Sequence, residues 1–497
     1  MDTTKDTFNL AMKNHQEGKL DVAQEFYNQV LKIDPNHSDA NNNLGVLLQS
    51  SGDVQKAKDC YEKAIEINTN HVNAHNNLGV LFKGLGENQK AKNCYEKAIE
   101  INPNYTDARF NLGVIFYTLG SYNKAKDCYK KVIEIDPNYV NAHYNLGAIF
   151  KELGETQKAK ECIEEVIKLN PNHIKAHSNL SALYTQTLDN FEKSMNSSYK
   201  VSKIHHKNSK FINQSVPLFR LKHDVQQAQY LILKNYKIEG AYEFQKIGDE
   251  ILGREENKED INNSNKKILL NNDEINSLLP YSKENHIYQT KTISGSCINP
   301  NKNWLDVEDE YLNSSNQIMY IDDFLSDEAL IELCEFSLVS KVWYKEYKNK
   351  YLGAFSDAGF ISPIHLQIAV DLQQKLPKLF GPHKIERFWG FKYDSSLGKG
   401  INIHADSAIH NLNFWITPDE FNNNKNSGGL KVYDAAAPDN WTFKDYNISE
   451  SKILNFLKEN NANCTNVPYK FNRAVLFNSA YFHETDEIDF KDKYEGR

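Results

Sequence analysis

No run of about eighteen apolar residues occurs in the 497-residue chain, so no membrane-spanning helix is expected. Met1 is not followed by a basic, then apolar, then small-residue leader, which makes the cytoplasm the simplest address. A basic excess is missing too: 58 Lys and Arg against 66 Asp and Glu give a net charge of -8. Such a surface is a poor partner for a nucleic-acid backbone. None of the seven cysteines has CxxC spacing, which removes the ordinary zinc frameworks. Cys60, Cys94, Cys128 and Cys162 instead fall 34 residues apart each time. A cysteine that recurs with a repeat is a small buried apolar residue rather than half of a disulfide.

That period of 34 belongs to the whole N-terminal third. Leu44-Gly45, Leu78-Gly79, Leu112-Gly113 and Leu146-Gly147 mark a first helix, and Ala57, Ala91, Ala125 and Ala159 a second. Pro35, Pro103, Pro137 and Pro171 close the unit; Leu10-Ala11, Ala23 and Tyr27 fit one period earlier and Leu180-Ser181 one later. Small residues let paired helices approach closely, and proline stops the second helix before the next begins. Residues 4–205 therefore resemble tetratricopeptide repeats, about six units with the last degenerate. The resemblance implies an all-α solenoid whose concave face binds a polypeptide partner or substrate.

An asparagine precedes the repeated leucine every time: Asn9, Asn43, Asn77, Asn111, Asn145 and Asn179. A column of carboxamides can pair with the backbone of an extended peptide whatever its side chains. It is similar to the asparagine ladder in the repeats of O-linked N-acetylglucosamine transferases. Val46, Val80, Val114 and Ala148 beside it offer no cation for an acidic tail. Asparagine is abundant throughout the chain, so compositional bias is the competing reading.

From 206 to 300 the period is lost. "VPLFRLKHDVQQAQYLILKNY" and "GAYEFQKIGDEIL" have helical apolar spacing and predict a helical extension. "GREENKEDINNSNKK", Gly253 to Lys267, predicts an exposed polar linker. His205-His206 reads as a solvated pair, since adjacent residues on a helix point in different directions.

After residue 301 the texture changes to short alternating runs. "QIMYIDDFLS" predicts a strand and a helix capped by Ser326, and "SPIHLQIAVDLQQKLPKLFG" one amphipathic helix. "ERFWGFKYDS", "GINIHADS", "NLNFWITPD", "GGLKVYDA" and "NRAVLFNSAYFHETDEIDF" predict strands. This order suggests an α+β domain built on a jelly-roll.

His404-Ala-Asp406 lies in the second of those strands. With 16 histidines, a His-x-Asp triplet occurs by chance roughly once, and His37-Ser38-Asp39 is such a twin. In a strand, however, His404 and Asp406 share one face. His483, 79 positions later, offers a third ligand from another strand. Two histidines and a carboxylate on one side of an ion form the facial arrangement of mononuclear non-haem iron sites. His410 has the same parity, but a strand cannot bring positions i, i+2 and i+6 to one ion.

The stretch from Gln317 to Arg497 resembles the Fe(II)- and 2-oxoglutarate-dependent dioxygenases near the prolyl hydroxylases, in the order "IDDFLS", Tyr393, His404-x-Asp406, "SGGLKVYD" and "AVLFNSAYFHET". The resemblance implies a double-stranded β-helix holding Fe(II) on His404, Asp406 and His483, with 2-oxoglutarate and dioxygen as co-substrates and hydroxylation as the reaction. It further implies that Arg497, 14 positions after His483, anchors the far carboxylate of 2-oxoglutarate near Tyr393. Asn413 and Trp415 share a face that lines the cavity. The family continues past that arginine through a closing strand, whereas this chain stops on it, so a truncated barrel with an open edge is expected. Two alternatives remain: an oxygenase of small molecules that uses the repeats for docking, and a non-catalytic scaffold with a vestigial barrel.

Overall fold

A computed structural model describes residues 3–188, 190–207, 215–256, 266–347, 349–393 and 398–496. Contacts divide the chain into two compact units, Met1–Ala176 and His177–Arg497. Among the described residues no helix is long and apolar enough to cross a membrane.

The first unit is helical. Its hairpins are α1 (Thr3–Gln16) with α2 (Leu20–Ile33), α3 (Ser38–Ser50) with α4 (Val54–Ile67), α5 (Val72–Gly84) with α6 (Asn88–Ile101), α7 (Thr106–Thr118) with α8 (Tyr122–Ile135), and α9 (Val140–Glu152) with α10 (Thr156–Leu169). Each second helix buries one stripe; α4, for example, buries Ala57, Tyr61 and Ala64. The two helices of a hairpin touch where glycine leaves room: a Cβ on Gly79 would lie 2.6 Å from Tyr95 Cε1. Gly52 and Gly86, at φ +86° and +77°, turn the chain between the helices in a conformation that costs glycine little. Successive hairpins are tied by a side chain reaching back 32 positions: His71 Nε2 to Asp39 Oδ1 at 3.0 Å, Tyr105 OH to Asn73 Oδ1 at 2.8 Å and Tyr139 OH to Asp107 Oδ1 at 3.1 Å. Cys60, Cys94, Cys128 and Cys162 are free thiols, and burial pushes each up to about 11, where it is unreactive.

The second unit takes in most of α11 (Ile174–Thr187) together with α12 (Phe191–Lys207). The division thus falls earlier than the loss of the repeat period near residue 205. On α12, Ser198 Oγ donates to Ser356 O and accepts from Gly359 N, both at 2.6 Å, because a serine stripe lets that loop approach the helix. His206 is not solvated, in contrast to expectation: it is buried on the same face, with Nδ1 3.0 Å from Ser202 O, while His205 stays exposed.

The remaining elements are β1 (Ser215–Pro217), α13 (Leu218–Leu233), α14 (Ala241–Glu256), β2 (Lys267–Leu269), α15 (Asn272–Lys283), α16 (Trp304–Asn313), β3 (Ile318–Ile321), α17 (Asp327–Val339), β4 (Lys345–Tyr347) and β5 (Tyr351–Phe355). There follow α18 (Pro363–Lys375), β6 (Trp389–Tyr393), β7 (Gly398–Lys399), β8 (His410–Phe414), β9 (Leu430–Ala436), α19 (Phe443–Asn447), α20 (Glu450–Glu459), β10 (Cys464–Val467), β11 (Ala474–Asn478), β12 (Tyr481–Thr485) and β13 (Glu487–Ile488). Ser326 caps α17 as expected, accepting from Ala329 N. The expected linker is helical as far as Glu256 and extended from Lys267, and 257–265 lie outside the described residues.

The strands form small sheets, ordered β3-β11-β8, β10-β9-β12, β4-β5-β6, β7-β13 and β1-β2. The first two face each other: Ile318, Val475 and Phe477 from one and Leu430, Val432 and Val467 from the other form a single apolar cluster. Two expected strands are corrected. "NRAVLFNSAYFHETDEIDF" holds β11 and β12, which belong to different sheets, because Asn478 Oδ1 accepts from Ala480 N at 3.0 Å and reverses the chain. "GINIHADS" is not a regular strand; it meets β12 in one isolated bridge, His404 to His483, and in a bond from Thr485 N to Ile401 O at 3.1 Å.

Candidate metal centre

That bridge sets the geometry. His404 N donates to His483 O at 3.0 Å and His483 N to His404 O at 2.8 Å. Residues that exchange both bonds stand directly opposite each other with side chains on one face, and the two rings lie 4.3 Å apart. Two residues on, Asp406 N donates to Ser479 O at 3.0 Å, which puts the carboxylate on that same face. His404 Nε2 is 4.0 Å from Asp406 Oδ1, and His483 Nε2 is 3.5 Å from Asp406 Oδ2. Ligand atoms of all three lie within 4.8 Å of one another. Ligand atoms on one six-coordinate ion stand about 3 Å apart, so small rotations close the set.

The neighbours orient these groups. His404 Nδ1 is 2.8 Å from Asn402 O and His483 Nδ1 is 3.0 Å from Tyr481 O. A carbonyl only accepts, so each Nδ1 carries the hydrogen and each Nε2 lone pair is turned to the cluster. Asp406 Oδ2 accepts from Asn411 Nδ2 at 2.6 Å, and Asn411 Oδ1 accepts from Ser479 Oγ at 2.6 Å. Burial, and then the neighbouring His404, hold His483 down at about 3 against the opposing pull of Asp406, which keeps its imidazole neutral. The donor set is that of a divalent ion bound by borderline ligands.

The three side chains line a cavity of about 590 Å³. Tyr393, Asn413 and Trp415 line it as well. Tyr393 OH is 3.5 Å from Thr485 Oγ1, and burial pushes the phenol up to about 12. His410 is in the wall but not in the cluster, its Nδ1 lying 3.3 Å from Tyr311 OH. Arg497 lies outside the described residues. The twin triplet plays a different part, since His37 Nδ1 caps α3 by accepting from Ala40 N and Asp39 pairs with His71.

Sequence reasoning missed Asn411, one of several polar residues on β8, and Ser479, in the turn between β11 and β12, neither of which carries a local signal. It also missed Lys392, a lysine 4 % exposed in the cavity wall whose Nζ donates to Tyr494 OH at 2.9 Å.

The asparagine column is half-buried from Asn43 through Asn179, with Asn9 exposed. Asn77 Nδ2 donates to Asn42 Oδ1 at 3.0 Å and Asn111 Nδ2 to Asn76 Oδ1 at 3.2 Å. Asn43 and Asn145 donate to Tyr27 OH at 3.4 Å and Tyr129 OH at 3.2 Å. These amide donors join repeat to repeat and helix to helix, through a second column, Asn42 and Asn76, not singled out in the sequence.

Tetratricopeptide-repeat family models match residues 8–37, 37–104, 94–127, 115–154 and 140–173. Among solved structures, a MamA protein is 26% identical, with 35% of this chain and 94% of that one covered and a TM-score of 0.31. YrrB, described as a TPR protein with an unusual peptide-binding site, is 21% identical over 37% of this chain and 93% of its own, at a TM-score of 0.32. PilF of Pseudomonas aeruginosa is 16% identical over 41% and 91%, at a TM-score of 0.38. No curated protein sequence matches the chain. The matched models end at residue 173, before the histidine and aspartate cluster. Residues 8–173 are therefore tetratricopeptide repeats, a solenoid of the kind that binds proteins.

Proposed function

We propose that the chain is an Fe(II)- and 2-oxoglutarate-dependent oxygenase acting on a polypeptide bound by its repeats. The convergence of His404, Asp406 and His483 in the wall of one cavity carries this reading. Bound there, the ferrous ion would supply oxidative decarboxylation of 2-oxoglutarate by dioxygen and hydroxylation of a C–H bond. The chain's own residues would do the rest. Carbonyls of Asn402 and Tyr481 keep the two Nε2 atoms turned inward, and Asn411 holds the carboxylate. Phe391, Leu412 and Leu430 keep water from the wall, while Tyr393 and Thr485 present two neighbouring hydroxyls that suit a carboxylate.

The double-stranded β-helix belongs to the same proposal. Its opposed sheets are read in the pair that packs through Val432 and Phe477. Among the described residues β6 and β8 each pair on one side only. Consecutive residues of both line the cavity, which places it along their edges rather than one face. One more strand there would join the β4-β5-β6 sheet to the β3-β11-β8 sheet.

A non-catalytic protein-binding scaffold is the second reading, favoured by family matches that all fall within residues 8–173. Incubation of the chain in air with Fe(II), ascorbate and 2-oxoglutarate separates the two. The oxygenase reading expects succinate from the wild type and none above background from His404→Ala. Equal succinate from both, or none from either, would leave the scaffold.

A further inference from the structure

The residue between His404 and Asp406 is held by an element outside the cluster. Ala405 N donates to Tyr446 O at 3.0 Å, and Asn447 Nδ2 donates to Ala405 O at 2.8 Å. Both partners sit at the end of α19. The start of that helix is fixed by Thr442, whose N and Oγ1 donate to Asp445 Oδ2 at 2.8 and 2.7 Å. On α20, Ile453 and Leu457 are buried in one apolar cluster with Ile403, Ala405 and Phe482. The alternation of an extended chain explains the pairing: 403 and 405 face the helices while 404 and 406 face the cavity, and Phe482 and His483 divide in the same way on β12.

The ligand segment therefore has β12 along one edge and α19 along the other. On the β12 side Thr485 N donates to Ile401 O at 3.1 Å, His404 pairs with His483 and Asp406 N bonds to Ser479 O, whereas the backbone of Ala405, between the two cluster residues, is fixed from the helical hairpin. We infer that α19 and α20 brace the metal-ligand segment and that Asn447 is the positioning residue that fixes His404 and Asp406 for an ion. This inference rests on the proposed metal centre. The carboxamide is the group required, because the Ala405 carbonyl it serves belongs to a residue only 1 % exposed and an acceptor-only side chain would repel it.

The test is a Co(II) titration of the whole chain, followed by visible absorption and calorimetry. Asn447→Asp, an isostere without the donor, is expected to weaken Co(II) binding about tenfold, the lower end of what losing a partner of a metal ligand costs. Asn447→Gln should recover part of that loss. Leu454→Ser, on the exposed side of α20, should bind as the wild type does. Unchanged affinity in Asn447→Asp, with binding still abolished in His404→Ala, overturns the brace alone. No Co(II) binding that depends on His404 overturns the metal centre and the brace with it. Amide hydrogen exchange on the wild type removes any dependence on how a variant folds: Co(II) is expected to slow exchange at Ala405 and across 442–457, and unchanged exchange in the hairpin would also overturn the brace.

Discussion

Burial, and then the neighbouring His404, hold the His483 imidazole neutral. Burial acts alike on histidines away from the cluster. It holds His206, His223 and His365 down at about 3 from an ordinary 6.5, against Asp224 in the case of His223. The folded state keeps these rings neutral, whereas the unfolded chain protonates them near 6.5. Between those values the unfolded chain binds more protons, so stability falls as pH drops through that window. One such histidine costs about 2 kcal/mol at pH 5. The urea midpoint of the second unit is expected to be lower at pH 5 than at pH 7.5; equal midpoints would contradict the burial of these rings. At this scale the meeting of His404, Asp406 and His483 was legible because residue type and alternate spacing along an extended segment state it. Asn411 was not, because its role depends on a bond to Asp406 that only the turn of 407–410 creates.

The repeated helices were legible as elements because each buries a stripe at fixed spacing against a neighbour close in sequence. Their glycines show how tight the fit is. A Cβ on Gly79 meets the Tyr95 ring at 2.6 Å, whereas one on Gly147 meets the end of the more pliable Ile163 side chain at 3.0 Å. Gly79→Ala is expected to destabilise the first unit by about 1–3 kcal/mol through overpacking, and Gly147→Ala by less. Urea titration of both variants checks this, and equal losses would contradict it. Strand elements were less legible. β-rich runs flank Asn478-Ser479-Ala480 on both sides, and the reversal rests on the Asn478 side chain. The expected strand at His404 is a bridge because the Ala405 backbone bonds to Tyr446 and Asn447 instead of a strand.

For the whole molecule, the sequence carries the solenoid in its period, since each hairpin contacts only the next. The strand-rich unit depends on pairings such as Ile318 with Phe477, which no local pattern announces. The division after Ala176 was equally hidden, because α12 keeps a repeat-like helix while spending its serine face on the 356–359 loop. At the centre stands the proposal that this second unit holds iron and 2-oxoglutarate on His404, Asp406 and His483. Anaerobic titration of the chain with Fe(II) and 2-oxoglutarate probes it without reference to any substrate. A weak visible charge-transfer band is expected in the wild type and is expected to disappear in His404→Ala; a wild type without the band, or a band that survives the substitution, would refute the proposal.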